Sequence, residues 1–138
     1  MMDSEQLLTG EVARACGVSA DTIRHYERRG VIAAAQRDAG GYRRYPAAVV
    51  GRVLMVRRAL RLGFSLDELC RILRKRAAGM PPCHEVRALA ECKLRDVDAR
   101  IADLTELRRT LTSTLEEWDR RLAMTAEGEP AHLLESLR

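Results

Sequence analysis

The sequence predicts a mostly α fold, with a winged helix-turn-helix over residues 1–79 and a long dimerisation helix with a C-terminal segment over 80–138. Three observations carry this expectation. TGEVARACG and SADTIRHYERR are two short helical segments separated by a tight turn at Gly17, the arrangement of a helix-turn-helix. Gly40-Gly41 followed by Tyr42-Arg43-Arg44-Tyr45 marks a short hairpin beside them, a wing. Finally, residues 83–121 contain neither Gly nor Pro, and their apolar positions recur at alternating spacings of four and three, a heptad seam.

Taken in order, residues 9–17 form a helix closed by Gly17, and Ser19 caps the second helix at 19–29. Val18 and Ile23 face the first helix, leaving Arg24, His25, Tyr26 and Arg28 to project outward. A short basic helix of this kind suits the major groove of double-stranded DNA. Residues 33–38 form a loop, the glycine pair supplies positive φ for the turn, and Pro46 opens the next helix. In the strand, the period of two sets Tyr42 and Arg44 on one face and Arg43 and Tyr45 on the other, so one face packs while the other meets sugar and phosphate.

From 46 to 62, Val49, Val53, Val56 and Leu60 make one buried helical face. Ser65 and Glu68 form a capping box that opens a helix to about Lys75, with Leu66, Leu69, Ile72 and Leu73 inward. Cys16 and Cys70 are expected to be small buried residues. Gly79 and Pro81-Pro82 break the chain before the long helix, whose seam comprises Cys83, Arg87, Ala90, Leu94, Val97, Ile101, Leu104, Arg108, Leu111, Leu115 and Trp118. A lone helix with such a stripe cannot bury it against so small a domain, so it is expected to pair with a second copy.

The chain has 138 residues, 46% of them apolar and only 4% aromatic, so the core is aliphatic. Residues 1–79 carry 15 Lys and Arg against 8 Asp and Glu, whereas 80–138 carry 9 against 12. The two parts therefore suit different partners, and all but Lys75 of the 15 basic residues are Arg, whose planar fork binds phosphate and guanine edges. An Arg-rich solvated surface is the competing explanation of charge alone. No run reaches the length of a membrane span and the start MMDSEQ lacks signal-peptide character, which places the chain in the cytoplasm without a membrane partner. Four cysteines without dense spacing are then thiols or ligands rather than disulfides. Three scattered histidines, His25, His84 and His132, and no Gly-rich phosphate loop give no catalytic constellation, so no enzyme is expected. A purely structural coiled-coil protein would leave the Arg-rich half and the wing without a role.

The order of EVARACGVSADTIRHYERRGVI, GYRRY, RLGFSLDEL and ECKLRDVDARIADL resembles the mercury-resistance-regulator (MerR) family of bacterial transcription regulators over nearly the whole chain. The resemblance implies an antiparallel coiled-coil homodimer acting with RNA polymerase at a promoter whose two elements are spaced too far apart. Members bend and untwist that DNA when effector binds. By matching motif, it implies DNA contacts from Thr22, Arg24, His25 and Tyr26 in the recognition helix and from Tyr42, Arg43 and Tyr45 in the wing. His25 departs from the aromatic residue that many relatives have there.

In the metal-sensing branch a Cys opens the dimerisation helix, and Cys83 matches it, but the C-terminal end that supplies further thiols has no Cys here. In an antiparallel seam centred near Ile101, Cys83 faces the partner's Trp118, which argues against a mercury-type all-thiolate site. The remaining donors are Cys83, His84 and Cys92, with the partner's Glu116, the partner's Glu117, the partner's Asp119 and the partner's His132. They form a mixed thiolate and imidazole set that suits a divalent ion such as zinc. Alternatively, Trp118 with Leu133 and Leu134 lines a pocket for an organic molecule, or the thiols of Cys83 and Cys92 meet a thiol-reactive or redox effector.

Overall fold

The computed structural model describes residues 5–138; residues 1–4, where the stretch expected to lack a signal peptide begins, lie outside them. The elements are β1 (Gln6–Leu8), α1 (Thr9–Cys16), α2 (Ala20–Arg29), β2 (Gln36–Arg37), β3 (Arg43–Pro46), α3 (Ala48–Arg61), α4 (Leu66–Ala77) and α5 (Cys83–Ala123), then a 3-10 turn at Leu134–Ser136. Two compact units, Met1–Lys93 and Leu94–Arg138, divide within α5. No helix among the described residues is long and apolar enough to cross a membrane.

Local chemistry sets the helix ends. Gly17, at φ 68°, turns α1 into a left-handed cap, and the N–H groups of Gly17 and Val18 donate back to the carbonyls of Arg14 and Ala13 at 3.3 and 3.0 Å. From α3, Arg57 donates to the Cys16 carbonyl at 2.6 Å, placing a cation at the negative end of α1. Ser19 caps α2 through its Oγ, which accepts the Thr22 N–H at 3.1 Å. At α4 the capping box is complete, with Ser65 Oγ accepting the Glu68 N–H at 3.1 Å and Glu68 accepting the Ser65 N–H at 2.8 Å. Such a cap contributes about 1 kcal/mol.

The sheet is larger than a hairpin. Its order is β1-β3-β2, all antiparallel, with Leu7 opposite Tyr45 and Arg37 opposite Arg43. Residues 36–37, expected in a loop, form its third strand. Pro46, expected to open α3, closes β3 opposite Gln6 instead. Its fixed φ serves an extended strand end as well as a first helical turn, and the Ala47 N–H continues the pairing to the Glu5 carbonyl at 3.0 Å. Of the two glycines in the turn, only Gly41 takes positive φ, 80°. At Gly40 a Cβ would lie 3.2 Å from the Tyr42 ring, a tight contact that the exposed ring must yield to accommodate.

The core of the first unit is aliphatic, with Val12, Ile23, Val31, Val53 and Val56 fully buried, but its largest buried side chain is Tyr45. Tyr26, expected to project outward, is buried too. Three residues after Ile23, it falls on the same helical stripe, and the phenol ring follows the stripe rather than its polar tip. Cys16 and Cys70 are buried as expected, and burial pushes the Cys16 thiol pKa up against the opposing charge of Arg57. The first turns of α5 belong to this unit. Val86 and Leu89 pack on the core, Glu85 accepts from Lys75 Nζ at 2.5 Å and Arg71 Nε at 3.1 Å, and Lys93 pairs with Glu68 at 2.8 Å while lying 5.3 Å over the Phe64 ring.

The Tyr45 hydroxyl donates to Glu27 Oε2 on α2. Burial first, and then this acidic acceptor, push its pKa up from 10 to about 12. Because the folded state holds the proton more tightly than the unfolded chain, the stability linked to Tyr45 is complete below pH 10 and is lost as pH rises from 10 to about 12. Denaturant unfolding of wild type across that interval should show a fall in stability that is smaller in Tyr45→Phe, which has no phenol to titrate.

Candidate nucleic-acid interface

α2 and the wing meet through Glu27, which lies against Tyr45 and Arg43 of β3. On α2, Thr22, Arg24 and His25 are half-buried, and Arg28 and Arg29 are exposed. The Thr22 hydroxyl lies 2.9 Å from Ser19 Oγ, so the cap also orients it. Arg24 pairs with Asp21 at 2.6 Å, and His25 lies beside Tyr26 with ring centroids 6.5 Å apart. At its far end, α2 is pinned by an ion pair from Arg29 to Asp67 on α4.

In the wing, Asp38 organises the turn. Its Oδ1 accepts the N–H groups of Gly40 and Tyr42 at 2.9 and 3.0 Å, and its Oδ2 accepts from Arg44 Nε at 2.9 Å. The Arg44 hydrogen bond, followed by that from the Tyr42 N–H, holds the Asp38 carboxyl below the usual range. Arg37 donates to the Gly41 carbonyl at 2.7 Å. Tyr42 is 67% exposed at the tip. Arg43 is half-buried and lies 3.6 Å from Glu27 Oε2.

Of the seven residues expected at a DNA surface, Thr22, Arg24, His25, Tyr42 and Arg43 thus have accessible side chains. Tyr26 and Tyr45 are core residues, and their rings lie under the surface rather than on it. Glu27 and Asp38 were not among the expected residues, although each accepts from the arginine-bearing strand. The signal for Glu27 was present, as the one acid in the run IRHYERR.

The expected effector residues fall in several places. Cys83, His84 and Cys92 are exposed along the first turns of α5. In the second unit, Trp118 is half-buried and its Nε1–H donates to Ser136 Oγ at 3.1 Å, while that hydroxyl donates to the Leu133 carbonyl at 2.5 Å. This stitches the C-terminal turn to the end of α5. An open hollow of about 370 Å³ lies alongside, lined by Glu117, Arg120, Arg121, Met124, Thr125, Pro130 and Ala131, not by Trp118. His132 is exposed, with φ 52°, and approaches Glu135 at 4.0 Å. Among the described residues of one chain, no three His, Cys, Asp or Glu side chains converge on a point that could hold a metal ion.

Two family models match the chain, "MerR family regulatory protein" over residues 8–45 and "MerR, DNA binding" over residues 50–114. The chain is 43% identical over 108 residues to the mercuric resistance operon regulatory protein of Pseudomonas fluorescens, covering 78% of this chain and 74% of that one. It is 35% identical over 103 residues to the HTH-type transcriptional regulator ZntR of Escherichia coli (strain K12), covering 74% and 73%. Among solved structures, the transcription regulator PbrR691 from Ralstonia metallidurans CH34 in complex with lead(II) superposes with a TM-score of 0.70, 27% identity, and coverage of 80% of this chain and 86% of that one. The helix-turn-helix, the wing beside it and the long helix that follows are matched together, and the chain belongs to the MerR family of DNA-binding transcription regulators.

Proposed function

We propose that the chain regulates transcription as a homodimer on double-stranded promoter DNA, distorting the promoter for RNA polymerase in response to a divalent metal ion. The observation that supports the dimer is the bare stripe on α5. Leu94, Val97, Ile101, Leu104, Leu111 and Leu115 are each between 49% and 64% exposed, in the heptad spacing of a seam. A contiguous apolar row of this length in water calls for a partner, and a second α5 carries the same row. In this reading α2 enters the major groove, with Thr22, Arg24 and His25 toward the bases, while Tyr42 and Arg43 of the wing meet the backbone. The functional division is that of the sequence, with 1–79 reading DNA and 80–138 pairing and sensing in the cytoplasm.

The relatives named for mercuric resistance and the lead(II) complex support a metal as effector. One chain does not complete a ligand set. Cys83 and His84 are neighbours on a helix and leave it about 100° apart, so donors from the second copy, the partner's His132 among them, would be needed. A metal held in this way would tie the two copies together where α5 begins. Mixed sulfur and nitrogen donors suit zinc or a similar ion better than an all-thiolate mercury site.

Replacing both Ile101 and Leu104 with Asp should yield monomers in sedimentation at micromolar concentration and weaken operator binding at least tenfold, because only one reading module then engages. Wild-type protein that sediments as a monomer at the same concentration contradicts the dimer. For the effector, Cys83→Ser should retain dimerisation and operator binding but lose induction across a panel of divalent metals. Undiminished induction of that variant by the best metal rules out Cys83 as a ligand.

A further inference from the structure

Three arginines of α2 and the wing are engaged with carboxylates: Arg24 with Asp21, Arg43 with Glu27 and Arg44 with Asp38. The three pairs are not equivalent. The Asp21 side chain is 91% exposed, and an ion pair so open to water contributes little. Asp38 is tied into the turn of its own hairpin. Only Glu27 links the two elements, since one carboxylate oxygen on α2 accepts from the Tyr45 hydroxyl and faces the Arg43 guanidinium, both on β3. Its side chain is 18% exposed and that of Arg43 32%, so this pair is screened least by solvent.

We infer that Glu27 is a specificity-determining positioning residue, whose carboxylate holds the Arg43 guanidinium against α2 and competes with DNA phosphate for it. The inference rests on the reading that the wing meets the DNA backbone. Binding to arbitrary sequence is almost wholly phosphate neutralisation. A free arginine at the wing strengthens every complex alike. An arginine already neutralised by a neighbouring carboxylate adds less to random binding, and the same carboxylate places a negative charge near the polyanion. In the specific complex, the Glu27 tie fixes the wing relative to the recognition helix, so base contacts and backbone contacts form together. Preorganisation thus offsets the lost attraction on the correct site and has nothing to offset it elsewhere.

The test uses the full chain, a duplex that the protein itself enriches from a random library, and a random-sequence duplex of equal length, each titrated with salt. Glu27→Gln keeps an oxygen that can accept from Tyr45 but loses the charge. It is expected to bind the random duplex about two- to fivefold more tightly. Its slope of log K against log salt should steepen by up to about 0.9, and its preference for the enriched duplex should fall. Glu27→Asp, which keeps the charge, should stay close to the wild-type slope, and in an Arg43→Ala background Glu27→Gln should steepen the slope by less than it does with Arg43 present. Independently of how the Glu27 variants fold, Arg43→Ala alone should flatten the wild-type slope by only about half of a full contact. If it costs a full contact, or if Glu27→Gln leaves slope and preference unchanged while Arg43→Ala weakens binding, the role of Glu27 is overturned and the wing contact stands. If Arg43→Ala has no effect on either duplex, the wing contact itself fails, and the role of Glu27 with it.

Discussion

A phenol that is completely enclosed must find a partner for its hydroxyl, and at Tyr45 that requirement ties much of the first unit together. Tyr45 lies on the central strand of the sheet, opposite Leu7 of β1, and its hydroxyl ends on Glu27 of α2. Three segments distant in sequence therefore meet at one side chain. The ring is fully buried in the core, while the hydroxyl joins β3 to α2. Arg57 does comparable work on the other side of the turn, where it caps the end of α1 and so steadies the entry into α2. An interface built on α2 and β3 inherits its geometry from these two contacts.

Charge and apolarity are divided along the chain in a way that a single function accounts for. The Arg-rich first part is the half that carries the candidate nucleic-acid interface, and the weakly acidic remainder is the half with an apolar stripe open to water. The start of α5 packs on the first unit through Val86 and Leu89 and is fastened to α4 by Glu85 and Lys93. Cys83 and His84 immediately precede this fastened stretch, in the first turn of α5. An ion captured there, as proposed, would act on a helix already joined to the core of the first unit, which is the physical requirement for coupling a small ligand to a large rearrangement.

Much of this was legible before the structure. Helical periodicity and caps located α1, α2, α4 and α5 because those signals are local: Gly17 needs only its own backbone, and Ser65 needs only Glu68. The sheet was less legible, since β1 is three residues long and its partner lies 38 positions away, too short for a period-two pattern to register. Pro46 misled for a related reason, as its φ suits either role and the deciding contact is with Gln6. At the candidate site the accessible polar residues were anticipated, Tyr42 among them, and the burial of Tyr26 and Tyr45 was not. Tyrosine is amphipathic, and whether its ring is inside depends on what waits for the hydroxyl. For Tyr45 that group was Glu27, an acid whose role emerges only when α2 and β3 are side by side.

In the proposed function, two copies of one reading head, joined through α5, recognise a defined DNA sequence. Repeated selection of the full-length protein on a library of random duplexes, followed by sequencing, addresses it most directly. Enrichment of an inverted repeat is expected, with two half-sites related by the two-fold symmetry of the dimer. Enrichment of a single unrepeated element, or recovery of a pool no different from the input, would contradict it.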